Sequence, residues 1–306
     1  MIKQIKFFTL LMLAQGLAWA DESRTAASSD VVATAPAQVE RVISAGGSIS
    51  EWLVAMGGQA QLVGVDTTSL HPAALQELPS IGYQRQLAAE GVLTLQPQIL
   101  FGSEEMGPPT VLEQLRASGV HIETLAVATD LQALRSSVRR MGELTGHQQQ
   151  AEQALQDFMQ AMAVQQQQLT AIHSAAPRVL LVFSAGQGNP LAAGTGTVGD
   201  WLIKQAGGEN LAVHEGFKAL STESLLALNP QVIIVADRHS QGLQALEAML
   251  SSAPALRHTA AVQQKRVLAI DPTLLVGGLG PRIPEQVAQL MALFYPQLSN
   301  QLARQD

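Results

Sequence analysis

From residue 41 onward, short apolar runs rich in β-formers alternate with segments whose apolar residues recur at helical spacing. RVISAG, LVGVD, QILFGS and HIETLAV predict strands in the first half, and RVLLVFSAG, NLAVH, QVIIVAD and RVLAID predict strands in the second. Between them SEWLVAMG, PTVLEQLRASG, VGDWLIKQAG and QGLQALEAML predict amphipathic helices. This alternation implies an α/β protein whose mostly parallel sheets are flanked by helices on both faces.

The two halves follow one plan. Glu51-Trp52-Leu53 precedes Gly57-Gly58, and Asp200-Trp201-Leu202 precedes Gly207-Gly208 one residue further on. EGVLTLQPQIL from Glu90 repeats as ESLLALNPQVI from Glu223, each a short helix stopped before a proline that leads into a strand. Two similar lobes follow, over residues 41–128 and 174–306. Residues 129–173 contain almost no helix breakers. Leu131, Leu134, Val138, Met141, Leu144, Ala151, Leu155, Phe158 and Met162 form one apolar stripe there. The expectation is one long connecting helix, kinked at Gly146-His147, with the ligand in the cleft between the lobes. Such a strut limits hinge motion.

Composition narrows the class. With 47% apolar and 14% charged residues, a 306-residue chain builds packed domains. MIKQIK, a short apolar run and Ala18-Trp19-Ala20 form a signal-peptide pattern over residues 1–20, too short for a permanent membrane anchor. Residues 21–40 are small and polar and read as a disordered leader. The chain has no cysteine, which excludes a disulfide scaffold and attachment through a lipidated N-terminal Cys. A monomeric protein exported to a periplasm fits these features. Removing Lys3 and Lys6 moves the formal charge from −7 to −9, with no basic cluster left, so nucleic acid is not expected as a partner.

Gly194-Thr195-Gly196-Thr197-Val198-Gly199 has dinucleotide-site spacing and opens a helix. In that fold, however, the first Gly directly follows the strand. Here VLLVF ends near Phe183 and SAGQGNPLAA intervenes, which fits better a small-residue loop where a flat ligand approaches the backbone. The seven histidines (His71, His121, His147, His173, His214, His239 and His258) contain no H-x-H or H-E-x-x-H pair, whereas a dedicated metal site needs three or four converging ligands. His71 and His239 are the two near strand ends. No G-x-S-x-G elbow marks a hydrolase.

Tyr83 is one of only two tyrosines, and it stands in the loop IGYQR before the Glu90 helix, on the side where open α/β lobes bind ligands. A tyrosine in such a place ordinarily caps a loop. If the loop is extended, Tyr83 and Arg85 project to the same side. A phenol ionises near a pKa of roughly 10, but a ferric ion and a neighbouring guanidinium both favour the phenolate. Tyrosinate is a known axial ligand of ferric haem.

With GYQRQLAAEGVLTLQP, AAGTGT and LLVGGLGPRIP in view, the chain from about residue 41 to its end resembles the periplasmic haem-binding proteins of bacterial haem-import ABC transporters. These belong to the helical-backbone class of substrate-binding proteins. The resemblance implies that Tyr83 is the axial ligand of ferric haem and that Arg85 supports its phenolate. It also implies a polar or basic group from the second lobe on the other haem face, for which Arg238 is the candidate. Some relatives supply a histidine from the AAGTGT loop; Thr195 and Thr197 stand there, favouring five-coordinate iron. Delivery to a homodimeric inner-membrane permease with ATPase subunits is implied as well. Glu90 and Glu223 are its pseudo-symmetric docking carboxylates, and the protein is not an enzyme. A ferric-siderophore or cobalamin carrier is the alternative within the class. A periplasmic haem-degrading or dinucleotide-using enzyme is the alternative outside it.

Overall fold

The computed structural model describes residues 39–184, 190–238, 240 and 242–297. The expected signal peptide, nearly all of the leader, and His239 lie outside the described residues. In the first lobe β1 (Val42–Ala45), β2 (Leu62–Val65), β3 (Ile99–Ser103) and β4 (His121–Leu125) form a sheet in the order β2-β1-β3-β4, every pairing parallel. β1 and β3 are buried along their whole length, hence their unbroken apolar runs. Helices α1 (Gly47–Ala55), α2 (Ala89–Thr94) and α3 (Pro109–Ala117) connect the strands.

The segment between the lobes is two helices, not the single kinked one expected. α4 (Leu131–Thr145) starts on the Asp130 side chain, which accepts from the Gln132 and Ala133 amides at 2.8 Å. It stops at Gly146, which adopts a left-handed conformation at φ 77° and lets the chain turn. α5 (Gln148–Thr170) then begins as a separate helix after His147. The elbow is tight: a Cβ on Gly142 would lie 2.7 Å from that of Ala151, and Arg139 pairs with Glu152 across it. The apolar stripe runs through the break because both helices bury their apolar faces in one core. α5 alone is the long helix joining the lobes.

The second lobe holds β5 (Arg178–Ser184), β6 (Leu191–Ala193), β7 (Glu209–Asn210), β8 (Phe217–Ala219), β9 (Val232–Asp237) and β10 (Val267–Ile270). Their order is β10-β9-β5-β6-β8, with β7 also on β5. β10, β9, β5 and β7 pair in parallel, while β6 pairs antiparallel with both β5 and β8. The expected strand NLAVH shrinks to the start of its run. Helices α6 (Val198–Gln205), α7 (Thr222–Leu228), α8 (Gly242–Ser252), α9 (Ala260–Gln263) and α10 (Ile283–Phe294) complete the lobe.

A strap before α10 crosses back onto the first lobe. The Leu279 carbonyl accepts from Trp52 Nε1 at 2.8 Å, and its amide donates to the Ala128 carbonyl at 2.9 Å. Arg282 donates to both carboxylate oxygens of Glu51, at 2.9 and 2.6 Å, and to Asp271 Oδ2 at 3.0 Å. Below it the Trp52 and Phe158 rings lie 5.7 Å apart in a core that continues from one lobe into the other.

Candidate functional site

Beyond the C-terminal end of β2, buried Asp66 organises the floor of the cleft. Its carboxylate accepts from the Gly46 amide at 3.0 Å and from the Thr68 and Ser69 hydroxyls at 2.9 Å. Burial pushes its pKa up, against the pull of those hydrogen bonds. The loop thus fixed donates its Thr67 amide to the Gly82 carbonyl at 3.0 Å, which holds the next loop and Tyr83 in place. Gly82 has φ 84°, a conformation that favours glycine. Tyr83 itself is extended, but residues Gln84–Gln86 form a turn of 3-10 helix rather than the extended run expected. Arg85 consequently turns to Glu105 and pairs with it.

The group on the phenol is Arg238, immediately after β9. Its Nη2 donates to Tyr83 Oη at 3.0 Å. The guanidinium carbon stands 5.1 Å from the centroid of the Tyr83 ring and 5.4 Å from that of Phe183. Relative to the expectation, then, Arg238 rather than Arg85 holds the phenol oxygen, because the turn at Gln84 aims Arg85 elsewhere. All three predicted residues nevertheless line one cavity.

That cavity, about 190 Å³, is bounded also by Glu105, Leu191 and Phe217. A second of about 230 Å³ is bounded by Thr67, Thr68, Leu70 and Pro272. Tyr83, Phe183, Arg238 and Val276 line both, so the Tyr83–Arg238 contact is the partition between them. Each is smaller than the roughly 300–1,000 Å³ typical of ligand sites; together they make one slot divided at Arg238. Phe183 and Phe217, 5.9 Å apart, give the slot an apolar wall. Larger hollows of about 500, 680 and 340 Å³ lie along α4, along α5 and beside Pro177 and Arg266. The cleft is the better ligand site: in the first hollow Glu123 and Arg140 already satisfy each other, the second has no cation on its lining, and in the third Arg266 donates to the Leu293 and Phe294 carbonyls.

The glycine-rich loop serves the fold. Thr197 accepts from the Asp200 amide at 3.1 Å and caps α6, and Thr195 donates to the His214 carbonyl at 2.7 Å. A Cβ on Gly194 would fall 1.9 Å from that same carbonyl. Neither threonine lines the two cavities. Among the described residues no group of three or more His, Cys, Asp or Glu could hold a metal ion. His71 lies at 2.5 Å from Asp271 at the cleft edge, and His214 Nε2 is 3.1 Å from the Ala192 carbonyl.

Glu90 and Glu223 are exposed, each the second residue of its helix, and neither is in an ion pair among the described residues. Sequence reasoning missed Glu105, Phe183 and Phe217. Phe183 at the end of an apolar strand was findable from the rule that ligands sit at strand C-termini; Glu105 and Phe217 carry no such signal.

Comparison with known proteins adds independent findings. A model of the family described as "Periplasmic binding protein" matches residues 42–274. The fold superposes on the crystal structure of a periplasmic haem-binding protein from Pseudomonas aeruginosa with TM-score 0.82 and 52% identity, covering 84% of this chain and 93% of that one. For the periplasmic haem-binding protein HutB of Vibrio cholerae the values are 0.74 and 35%, over 84% and 99%. The vitamin B12-binding protein of Yersinia pestis (strain Pestoides F) is 28% identical over 68% of this chain and 74% of its own length.

Proposed function

Because the chain belongs to the periplasmic binding protein family, we propose that it carries ferric haem in the cleft between its lobes and delivers it to an inner-membrane ABC permease. The observation that carries this reading is Tyr83: a phenol held by Arg238, with Arg85 on the same cavity, against an apolar aromatic wall. A phenolate is a hard anionic donor that prefers Fe(III), and the Arg238 guanidinium stands 3.0 Å from the phenol oxygen. Tyr83 is the iron ligand in this reading, with Arg85 and Arg238 as the other haem-binding groups. Phe183 and Phe217 receive the macrocycle face. The 52% identity with a haem-binding protein supports haem. The likeness to vitamin B12-binding proteins, at 28%, keeps a corrin carrier as the second reading. A corrin edge bears neutral amides, however, and offers the cleft arginines no carboxylate of its own.

Transport takes place in the periplasm, with the protein as a monomer that consumes nothing. Glu90 and Glu223 dock on a homodimeric permease. Their matching positions on α2 and α7 offer one unpaired carboxylate per lobe to a two-fold pair of basic groups. Glu90→Arg with Glu223→Arg is expected to abolish haem-stimulated ATP hydrolysis by the reconstituted transporter while haem binding persists. Normal transport by that double variant removes the docking assignment.

Titrating the purified protein with haemin tests the central reading. A Soret band with the high-spin charge-transfer absorption of tyrosinate-bound Fe(III) is expected, without loss of haem over time. Haem consumption points to an enzyme. Cobalamin binding with no haem spectrum points to the corrin carrier.

A further inference from the structure

We propose that Arg85 and Glu105 form a carboxylate-exchange subsite, in which Arg85 releases Glu105 and takes a carboxylate on the edge of an incoming tetrapyrrole. The proposal rests on the haem reading above and deepens it by assigning the ligand's acidic edge to one end of the slot.

Three observations lead there. First, the phenol oxygen of Tyr83 already has a guanidinium donor in Arg238. Arg85, though it lines the same cavity, has no hydrogen bond to the phenol among the described residues: it pairs with Glu105 and acts on Tyr83 through its charge alone. Second, the Arg85–Glu105 pair is exposed, with 52% and 37% of the two side chains accessible. An exposed ion pair holds weakly, so one carboxylate can replace another at little net cost. A planar guanidinium can donate to either carboxylate. Third, the two ends of the slot differ in chemistry. Arg238 lies between the two ends; beyond it the Arg85 end carries a further cation, whereas the other is bounded by Leu70, Pro272 and threonines. A macrocycle with acidic groups on one edge and apolar groups on the other fits only one way round.

Glu105 then has a definite part. It follows β3, its amide donates to the Ser103 hydroxyl at 3.3 Å, and its side chain reaches water, so it is rehydrated when displaced. Before exchange it keeps the guanidinium at the cavity rim. A ligand with a neutral edge leaves the pair intact and gains nothing from Arg85. Glu105 acts through Arg85 and is a positioning residue.

The experiment compares two probes, Fe(III) protoporphyrin IX and its dimethyl ester, with wild type, Arg85→Gln and Glu105→Gln, by absorption titration. The readout is the ratio of diacid to diester affinity, which a merely structural role would not move. Arg85→Gln is expected to lower that ratio about tenfold, the loss of one hydrogen-bonded charge pair. Glu105→Gln is expected to raise it roughly threefold, since the competing carboxylate was a weak partner. Ratios equal to wild type in both variants overturn the subsite. So does an equal loss of both probes in Arg85→Gln, which would make Arg85 a support of the iron ligand. If wild type shows tyrosinate absorption with both probes, these outcomes bear on the subsite alone. If it shows none with either, the haem reading falls and the subsite with it.

Discussion

Two arginines of the second lobe reach across to the first, and they do so in opposite ways. Arg282 is largely buried and donates to Glu51, Asp271 and Thr273, the first through both carboxylate oxygens. Arg238 is exposed and, among the described residues, donates to the Tyr83 hydroxyl while lying against two aromatic faces. A charge that donates to two carboxylates, one of them buried, and to a hydroxyl is costly to disturb. A charge resting on aromatic rings with water beside it can move at low cost. The molecule thus fastens its lobes at the strap and keeps the cleft contact exchangeable, so a ligand can open the slot without separating the lobes.

The largest effect expected from breaking this contrast is at the strap. Arg282→Met leaves Glu51, only 5% exposed, as an uncompensated charge. Destabilisation of about 3 kcal/mol is expected, the low end for a broken buried pair. Arg238→Met is expected to cost under about 1 kcal/mol, as for an exposed polar contact. Urea unfolding of the two variants checks this directly. Equal losses would mean that the cleft contact is as structural as the strap.

Next in size is Tyr83→Ala. Removing the proposed iron ligand is expected to weaken haem binding by more than the roughly 10–100-fold that outer-shell losses cost metal sites. The charge-transfer absorption should vanish while the unfolding midpoint stays close to wild type, since Tyr83 is only half-buried in a loop. An unchanged haem spectrum would show that the ligand lies elsewhere.

A smaller effect separates the strap by pH. Burial opposes ionisation of Asp271, but hydrogen bonds from Thr273 and the charges of Arg282 and His71 hold its pKa below the ordinary 3.8. A carboxyl depressed on folding stabilises the native state above its unfolded pKa, and the stabilisation is lost as pH falls through the folded value. Wild type should therefore lose more stability than Asp271→Asn between pH 5 and pH 2, two conditions chosen about either side of the ordinary carboxylate range. Parallel losses in urea midpoints would remove Asp271 from the ionic centre of the strap.

How much of this was legible in the sequence follows from how local each feature is. The parallel strands were readable because burial on both faces leaves unbroken apolar runs such as VIIVAD. β6 and β8 were not, since three residues are too few for an alternation to declare itself and all of Phe217–Ala219 is exposed. The break at Gly146 was visible as a weak point, but its depth was hidden: two helices facing one core continue the same apolar stripe. Tyr83 could be singled out by scarcity and by its loop, and Arg238 by following a strand. Their contact, 155 residues apart, and the diversion of Arg85 to Glu105 depend on how the lobes and turns pack, which no local pattern records.

The smallest expected effect is the most direct test of the contrast between strap and cleft. Lobes joined by one helix alone could rotate about its ends. Here α5 is supplemented by the strap, where Trp52, Ala128 and Glu51 of the first lobe are all bonded to residues 279–282 of the second. The shared core beneath them includes Trp52, Phe158 and Leu279, so a wide opening would expose apolar surface as well as Glu51. Ligand entry should therefore displace Arg238 and nearby loops and rotate the lobes only slightly. Small-angle scattering should give nearly the same radius of gyration with and without haem, while Arg282→Met should show a larger difference between the two states. A large fall in radius on adding haem to wild type would mean that the strap yields, and that the cleft closes as a hinge.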